Sequence, residues 1–205
     1  MQEQEQNPEQ ERQRTPEREE KVRRVLAQRQ KDLTLVLANI HDPHNVSAIY
    51  RSCDAFGVAQ VHLYYTDTAF PHLGAKSSAS ARKWVETVRH VDAASLFATL
   101  KAEGKRVYAT SCAPAAKPVY ELDLLQPTAF LLGNEHSGVD AAMAAQCDGE
   151  VYIPMYGMIQ SFNVSVAAAV LLSEASRVRQ QAGCYDVPGW PPAELDARVA
   201  AWLKK

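Results

Sequence analysis

The residues of this 205-residue chain best suited to chemistry lie in three separated stretches. The first holds Asn45 and, six positions on, Arg51, which stands among the apolar Ile49, Ala55 and Phe56 with few other charges nearby. A guanidinium so placed wants a fixed anion, either a carboxylate such as Glu135 or a phosphate, with a purely structural ion pair as the alternative. Asn45 has a side chain able to cap the helix that follows it. The second stretch, GNEHSG at residues 133–138, sets Glu135 between two glycines, where backbone can approach closely. The third, residues 153–179, reads IPMYGMIQSFNVSVAAAVLLSEASRVR. It is core-like material opened by Pro154, Gly157 and the polar set Gln160, Ser161, Asn163 and Ser165. A segment that breaks a local rule without local gain is a candidate functional site.

Several chemistries are excluded by spacing. A phosphate-binding P-loop needs Lys and Ser or Thr after the second glycine, but Val139 and Asp140 follow Gly138, and no GxGxxG occurs. His41 and His44 in HDPH invite a metal, yet no further ligands stand at suitable spacing, so none is expected.

These residues must be held by elements the pattern makes visible. Residues 1–16 are Gln, Glu and Arg with almost no apolar content and read as a disordered lead-in. A basic helix is expected over 17–31, carrying Val22 and Leu26. The main domain spans 32–182. Strands are expected at 33–38, 61–65, 85–90, 106–110, 130–132 and 151–153, and helices at 46–56, 93–102, 140–145 and 161–181. A Pro/Gly/Trp linker and a helix with a docking stripe of Leu195, Val199 and Trp202 form a C-terminal extension over 183–205. Alternating strands and helices mean crossover connections, hence an α/β fold with a mostly parallel sheet and helices on both faces. Ligands in such sheets bind beyond the carboxyl ends of the strands, and the loops there hold the Asn, Arg, Gly, Glu and Ser singled out above.

Bulk properties narrow the setting. No run approaches the roughly 18 apolar residues of a membrane span, and the N-terminus lacks the regions of a signal peptide, so a cytoplasmic protein is expected. Four widely spaced cysteines without CxxC suit a reducing compartment. A net charge of −2 argues against indiscriminate coating of nucleic acid, but 8 of the 22 Lys and Arg residues fall in the first 31 positions, so a polyanion would be met by local patches.

The blocks NIHDPHNVSAIYRSCDAFG (39–57), FLLGNEHSGV (130–139) and IPMYGMIQSFNVSVAAAVLLSEASR (153–177) resemble, in order and context, the three motifs of the SpoU or TrmH family of RNA 2'-O-ribose methyltransferases. The resemblance covers about residues 20–205. KWV at 83–85, AGCYD at 182–186 and the terminal WLKK resemble members that modify a D-loop guanosine of tRNA, position 18.

The resemblance implies a C-terminal trefoil knot, a homodimer with the site completed between subunits, and S-adenosylmethionine as methyl donor. Thr110, Gly133, Ile153 and Phe162 would contact the cofactor. Arg51 and Asn45 take the first-motif roles, Glu135 that of the second-motif acid, and Ser161 and Asn163 the third-motif polar pair. The family assigns removal of the ribose hydroxyl proton to Arg51. A guanidinium is a poor base, and it is better suited to gripping phosphate and stabilising charge on oxygen. The apolar helix after Asn163 would need cover on every side, which accords with a dimer. Arg18, Lys21, Arg23, Arg24, Lys31, Lys83, Lys101, Arg177 and Arg179 are the cations expected along the tRNA backbone. His136 and Ser137 replace the Lys-Trp pair frequent in the tRNA subgroup, a form found among relatives acting on ribosomal RNA. A ribosomal RNA methyltransferase, a non-catalytic RNA-binding module and a small-molecule α/β enzyme are therefore the alternatives.

Overall fold

The structure, a computed structural model, describes residues 15–67, 69–71 and 81–205. Most of the expected lead-in lies outside the described residues. The elements are α1 (Pro16–Ala27), β1 (Gln30–Ala38), α2 (Pro43–Ala55), β2 (Val58–Tyr64), β3 (Glu86–His90), α3 (Ala93–Ala102), β4 (Arg106–Thr110), β5 (Lys117–Pro118), β6 (Thr128–Leu132), α4 (Ala141–Ala144), β7 (Gly149–Tyr152), α5 (Val164–Gln181) and α6 (Pro192–Trp202). The seven strands form one sheet in the order β3-β2-β1-β6-β4-β7-β5. Every pairing is parallel, so the expected α/β class holds.

Strand periodicity explains the two-layer burial. In β1, Leu33, Leu35 and Leu37 join one core while Val36 and Ala38 join the other; β6 splits Phe130 and Leu132 from Ala129 and Leu131 in the same way. Strands buried on both faces read as continuous apolar runs because each side chain must meet a helix. Burying one leucine contributes about 2 kcal/mol. The first face is covered by α2, through Val46, Ile49, Tyr50 and Cys53, and by α5, through Val164, Ala168, Leu171, Leu172 and Ala175. The second is covered by Leu96 and Leu100 of α3 and Met143 of α4.

Boundaries move for identifiable reasons. The first helix stops at Ala27, and Gln30 and Lys31 already belong to β1, where the Gln30 N–H is donated to the Gly57 carbonyl at 2.7 Å. Helix α2 starts at Pro43, not Val46: Asp42 accepts from the His44 N–H at 2.8 Å and the proline occupies the first turn. Asp42, not Asn45, is therefore the cap. Helix α5 starts at Val164, because Asn163 accepts from the Ser165 N–H and caps it, leaving 161–163 outside. The two-residue β5, half proline, carries no sequence signal.

The terminal helices are held together by a small core of Val22, Leu26, Leu195, Val199 and Trp202, so the expected docking stripe faces α1. Helix α5 is not covered all round by its own chain. Val166 is 45% exposed, and Tyr156, Met158 and Ile159 just ahead of the helix are exposed as well.

Candidate active site

The carboxyl ends of β4, β6 and β7 open into a cavity of about 670 Å³, lined by Thr110, Gly133, Glu135, Ile153, Ser161, Phe162 and Asn163 among others. Its shape depends on the loop after β6. Asn134 and Gly138 pair in an isolated antiparallel bridge, and the Asn134 side chain accepts from the His136 N–H at 2.7 Å and the Ser137 N–H at 3.0 Å. The loop thus closes on itself. A Cβ on Gly133 would meet the Gly138 carbonyl carbon at 2.0 Å, so only glycine fits there, and Gly138 has φ +69°. The folded-back loop lifts Glu135 toward α2.

There the three stretches meet. Glu135 accepts from the Asn45 side-chain amide at 2.8 Å and from the His41 peptide N–H at 3.2 Å. The Asn45 oxygen accepts from the Asn163 amide at 3.1 Å, and the Asn163 oxygen accepts from Ser165 N–H and Oγ–H at 2.8 and 2.6 Å. Each amide is oriented by what it donates and accepts, so the chain Ser165, Asn163, Asn45, Glu135, His41 has one consistent polarity. Partial burial tends to raise the Glu135 pKa, but hydrogen bonds from Asn45 and from nearby peptide N–H groups outweigh it and hold the carboxyl below its ordinary value. Glu135 is an ionised organiser whose lone pairs are largely committed.

Among the nominated residues, Asn45, Glu135 and Asn163 are brought into direct contact, and Ser161, Thr110, Gly133, Ile153 and Phe162 line the cavity. Thr110 also donates to the Leu131 carbonyl at 3.1 Å, tying β4 to β6. Arg51 is not brought there. It lies two turns along α2, exposed, outside the cavity lining and without a hydrogen bond or ion pair among the described residues, so the considered pairing with Glu135 does not form.

The nominated cations divide. Arg179 is buried at 1% exposure, paired with Asp32 and donating to the Leu124 and Gln126 carbonyls, so its expected contact with RNA is corrected to a structural clamp between α5 and β1. Arg177 pairs with Glu174, and Arg23 with Asp196. Lys31 and Lys83 lie over the rings of Trp190 and Trp84. Arg18 is half-buried, and Lys21, Arg24 and Lys101 are exposed.

Sequence reasoning missed the His41 peptide N–H, which no residue type could reveal; Cys112 and Met155, in the loops after β4 and β7 that it marked as the site, were not singled out and also line the cavity wall. Position directly after β4 and β7 was the available signal for those two.

A parallel α/β sheet with a cavity beyond the carboxyl ends of its strands, walled by a closed glycine loop, has the layout of an α/β enzyme. The model of the SpoU rRNA methylase family matches residues 32–173, and the chain belongs to that family. It is 44% identical over 194 residues to the tRNA (guanosine(18)-2'-O)-methyltransferase of Thermus thermophilus, covering 95% of this chain and all of that one. The TrmH/SpoU tRNA modifying enzyme of Aquifex aeolicus superposes with a TM-score of 0.85 at 33% identity, covering 92% of this chain and 95% of that one. The SpoU methyltransferase AviRb of Streptomyces viridochromogenes, solved with AdoMet, gives 0.67 at 27% identity over 74% and 62% of the two chains.

Proposed function

We propose that this protein transfers a methyl group from S-adenosylmethionine to a ribose 2'-hydroxyl of tRNA, at guanosine 18 of the D-loop. The observation that carries the reading is the side-chain chain from Asn163 through Asn45 to Glu135, which joins all three stretches at the rim of one cavity. The cavity fits the cofactor: a wall where only glycine is tolerated lets backbone approach a ligand closely, and peptide groups of the loops after β4, β6 and β7 surround it. Thr110, Gly133, Ile153 and Phe162 would hold the cofactor, which when bound supplies an activated methyl group. The protein's task is alignment of donor and acceptor. Asn45, Glu135 and Asn163 keep the rim rigid, and Ser161 faces the space where the ribose would enter. Arg51 grips target phosphate and stabilises charge developing on the oxygen.

The choice of tRNA rests on the similarity to the Thermus relative, which extends over 95% of this chain and all of that one. Exposed Lys21 and Arg24 on α1 support an RNA path along that end. His136 and Ser137 favour ribosomal RNA as the second reading.

A homodimer is part of the proposal, as is the trefoil knot that the family resemblance implies. Exposed Val166, Met158 and Ile159 want cover, and Arg51, on the helix that packs against α5, stands outside its own cavity. We place the protein in the cytoplasm, with the tRNA it is proposed to modify. Among the described residues no helix is long and apolar enough to cross a membrane, and no group of three His, Cys, Asp or Glu could hold a metal ion.

Incubation with labelled S-adenosylmethionine and total RNA, followed by mapping of the modified nucleotide, tests the reading. Label at the D-loop guanosine is expected. Label in large ribosomal RNA selects the second reading, and no transfer overturns both.

A further inference from the structure

We propose that Asn39 and Tyr65 are positioning residues of the transfer site, setting Glu135 through the peptide N–H of His41. The inference rests on the role given to Glu135 above. Between Ala38, which ends β1, and Pro43, which begins α2, four residues must turn the chain over the sheet edge. Asn39 makes that turn with φ +49°, the one non-glycine residue with positive φ among those described. Asparagine enters this region more readily than most residues.

The side chain does more than permit the turn. Its oxygen accepts from the Thr66 N–H at 2.9 Å, and its amide donates to Thr66 Oγ1 and Asp67 Oδ2, each at 3.1 Å. Its peptide N–H is donated to the Tyr64 carbonyl at 2.9 Å. One residue on, the Tyr65 hydroxyl donates to the carbonyl of fully buried Ile40 at 2.9 Å. The next peptide group, His41 N–H, is the one donated to Glu135. Two consecutive residues are thus gripped by the end of β2, and the third grips the acid. Burial also pushes the Tyr65 pKa up, so its hydroxyl stays a donor.

Glycine would satisfy the positive φ equally well. Asn39→Gly therefore removes the clamp while keeping the turn, and Tyr65→Phe removes one hydroxyl from a ring that stays packed. Three readouts apply: single-turnover methyl transfer, S-adenosylmethionine affinity by calorimetry, and amide exchange at His41 by NMR. Each variant is expected to lose transfer rate on the order of tenfold, as small misplacements of a rim do. Cofactor affinity should be unchanged and His41 protection lowered. In a Glu135→Gln background either variant should add nothing, because the group it positions is already disabled.

Losses that multiply with Glu135→Gln as independent effects overturn the clamp, as does undiminished His41 protection. A rate loss that merely tracks the unfolded fraction seen by circular dichroism does the same. Glu135→Gln at the wild-type rate overturns the role of Glu135 together with the clamp. If the wild-type protein methylates no RNA, the functional reading fails, while exchange at His41 still decides whether the clamp holds the loop.

Discussion

A carboxylate that already accepts from Asn45 and from His41 has little left to offer a proton. Its depressed pKa has a signed consequence. The ordering it provides is complete above the ordinary 4.5 and is lost as pH falls through the lower folded value, so His41 amide protection should persist to pH 4.5 and decline below it. Decline beginning above that point would contradict the assignment. Arg51 has the opposite character, a permanent charge without a partner in the described chain. Arg51→Lys keeps the charge but loses the planar fork, and turnover should fall about a hundredfold with cofactor affinity intact, the scale of removing one preorganised donor. Near-normal turnover would remove Arg51 from the mechanism. The types of Asn45, Glu135 and Asn163 marked them out in the sequence, since amides and acids at strand ends serve no core. The His41 contribution was not legible, because every residue but proline carries a peptide N–H.

At the scale of elements, the glycine loop and the end of α5 carry the clearest expectations. Gly133→Ala drives a methyl group into the Gly138 carbonyl, so the loop must open and cofactor affinity should be lost, measured by calorimetry on protein that remains folded. Retained affinity would show that the loop does not shape the cavity. Arg179→Ala should cost about 2 kcal/mol in denaturant unfolding by removing a buried guanidinium that holds half-exposed Asp32 and the Leu124 and Gln126 carbonyls, while RNA affinity per folded molecule stays unchanged. Reading Arg179 as a surface cation failed because spacing along α5 shows that a residue is charged, not that Asp32, 147 positions away, waits beneath it. The long apolar strands were legible for the reason that they are buried twice over. The start of α5 was not, since Ser161 and Asn163 suit a helix edge and a loop alike, and capping by Asn163 decided it.

For the whole molecule, a net charge of −2 fits the proposed RNA path along local cations of α1 and not a global field. Reversing exposed Lys21 and Arg24 to Glu should flatten the slope of log affinity against log salt by about 2, without disturbing the core that joins α1 to α6. An unchanged slope would move the RNA path elsewhere. The strand order has a consequence in time. β6 lies between β1 and β4, both of which precede it in the chain. As the polypeptide leaves the ribosome, the first 127 residues carry β1 with one edge unpaired and no neighbour able to fill it. The apolar Leu33, Leu35 and Leu37 wait there for Phe130 and Leu132 to be made. Until β6 is made, a newborn chain therefore carries an open strand edge of the kind through which chains pair with one another, and the order of translation sets how long that edge stays open.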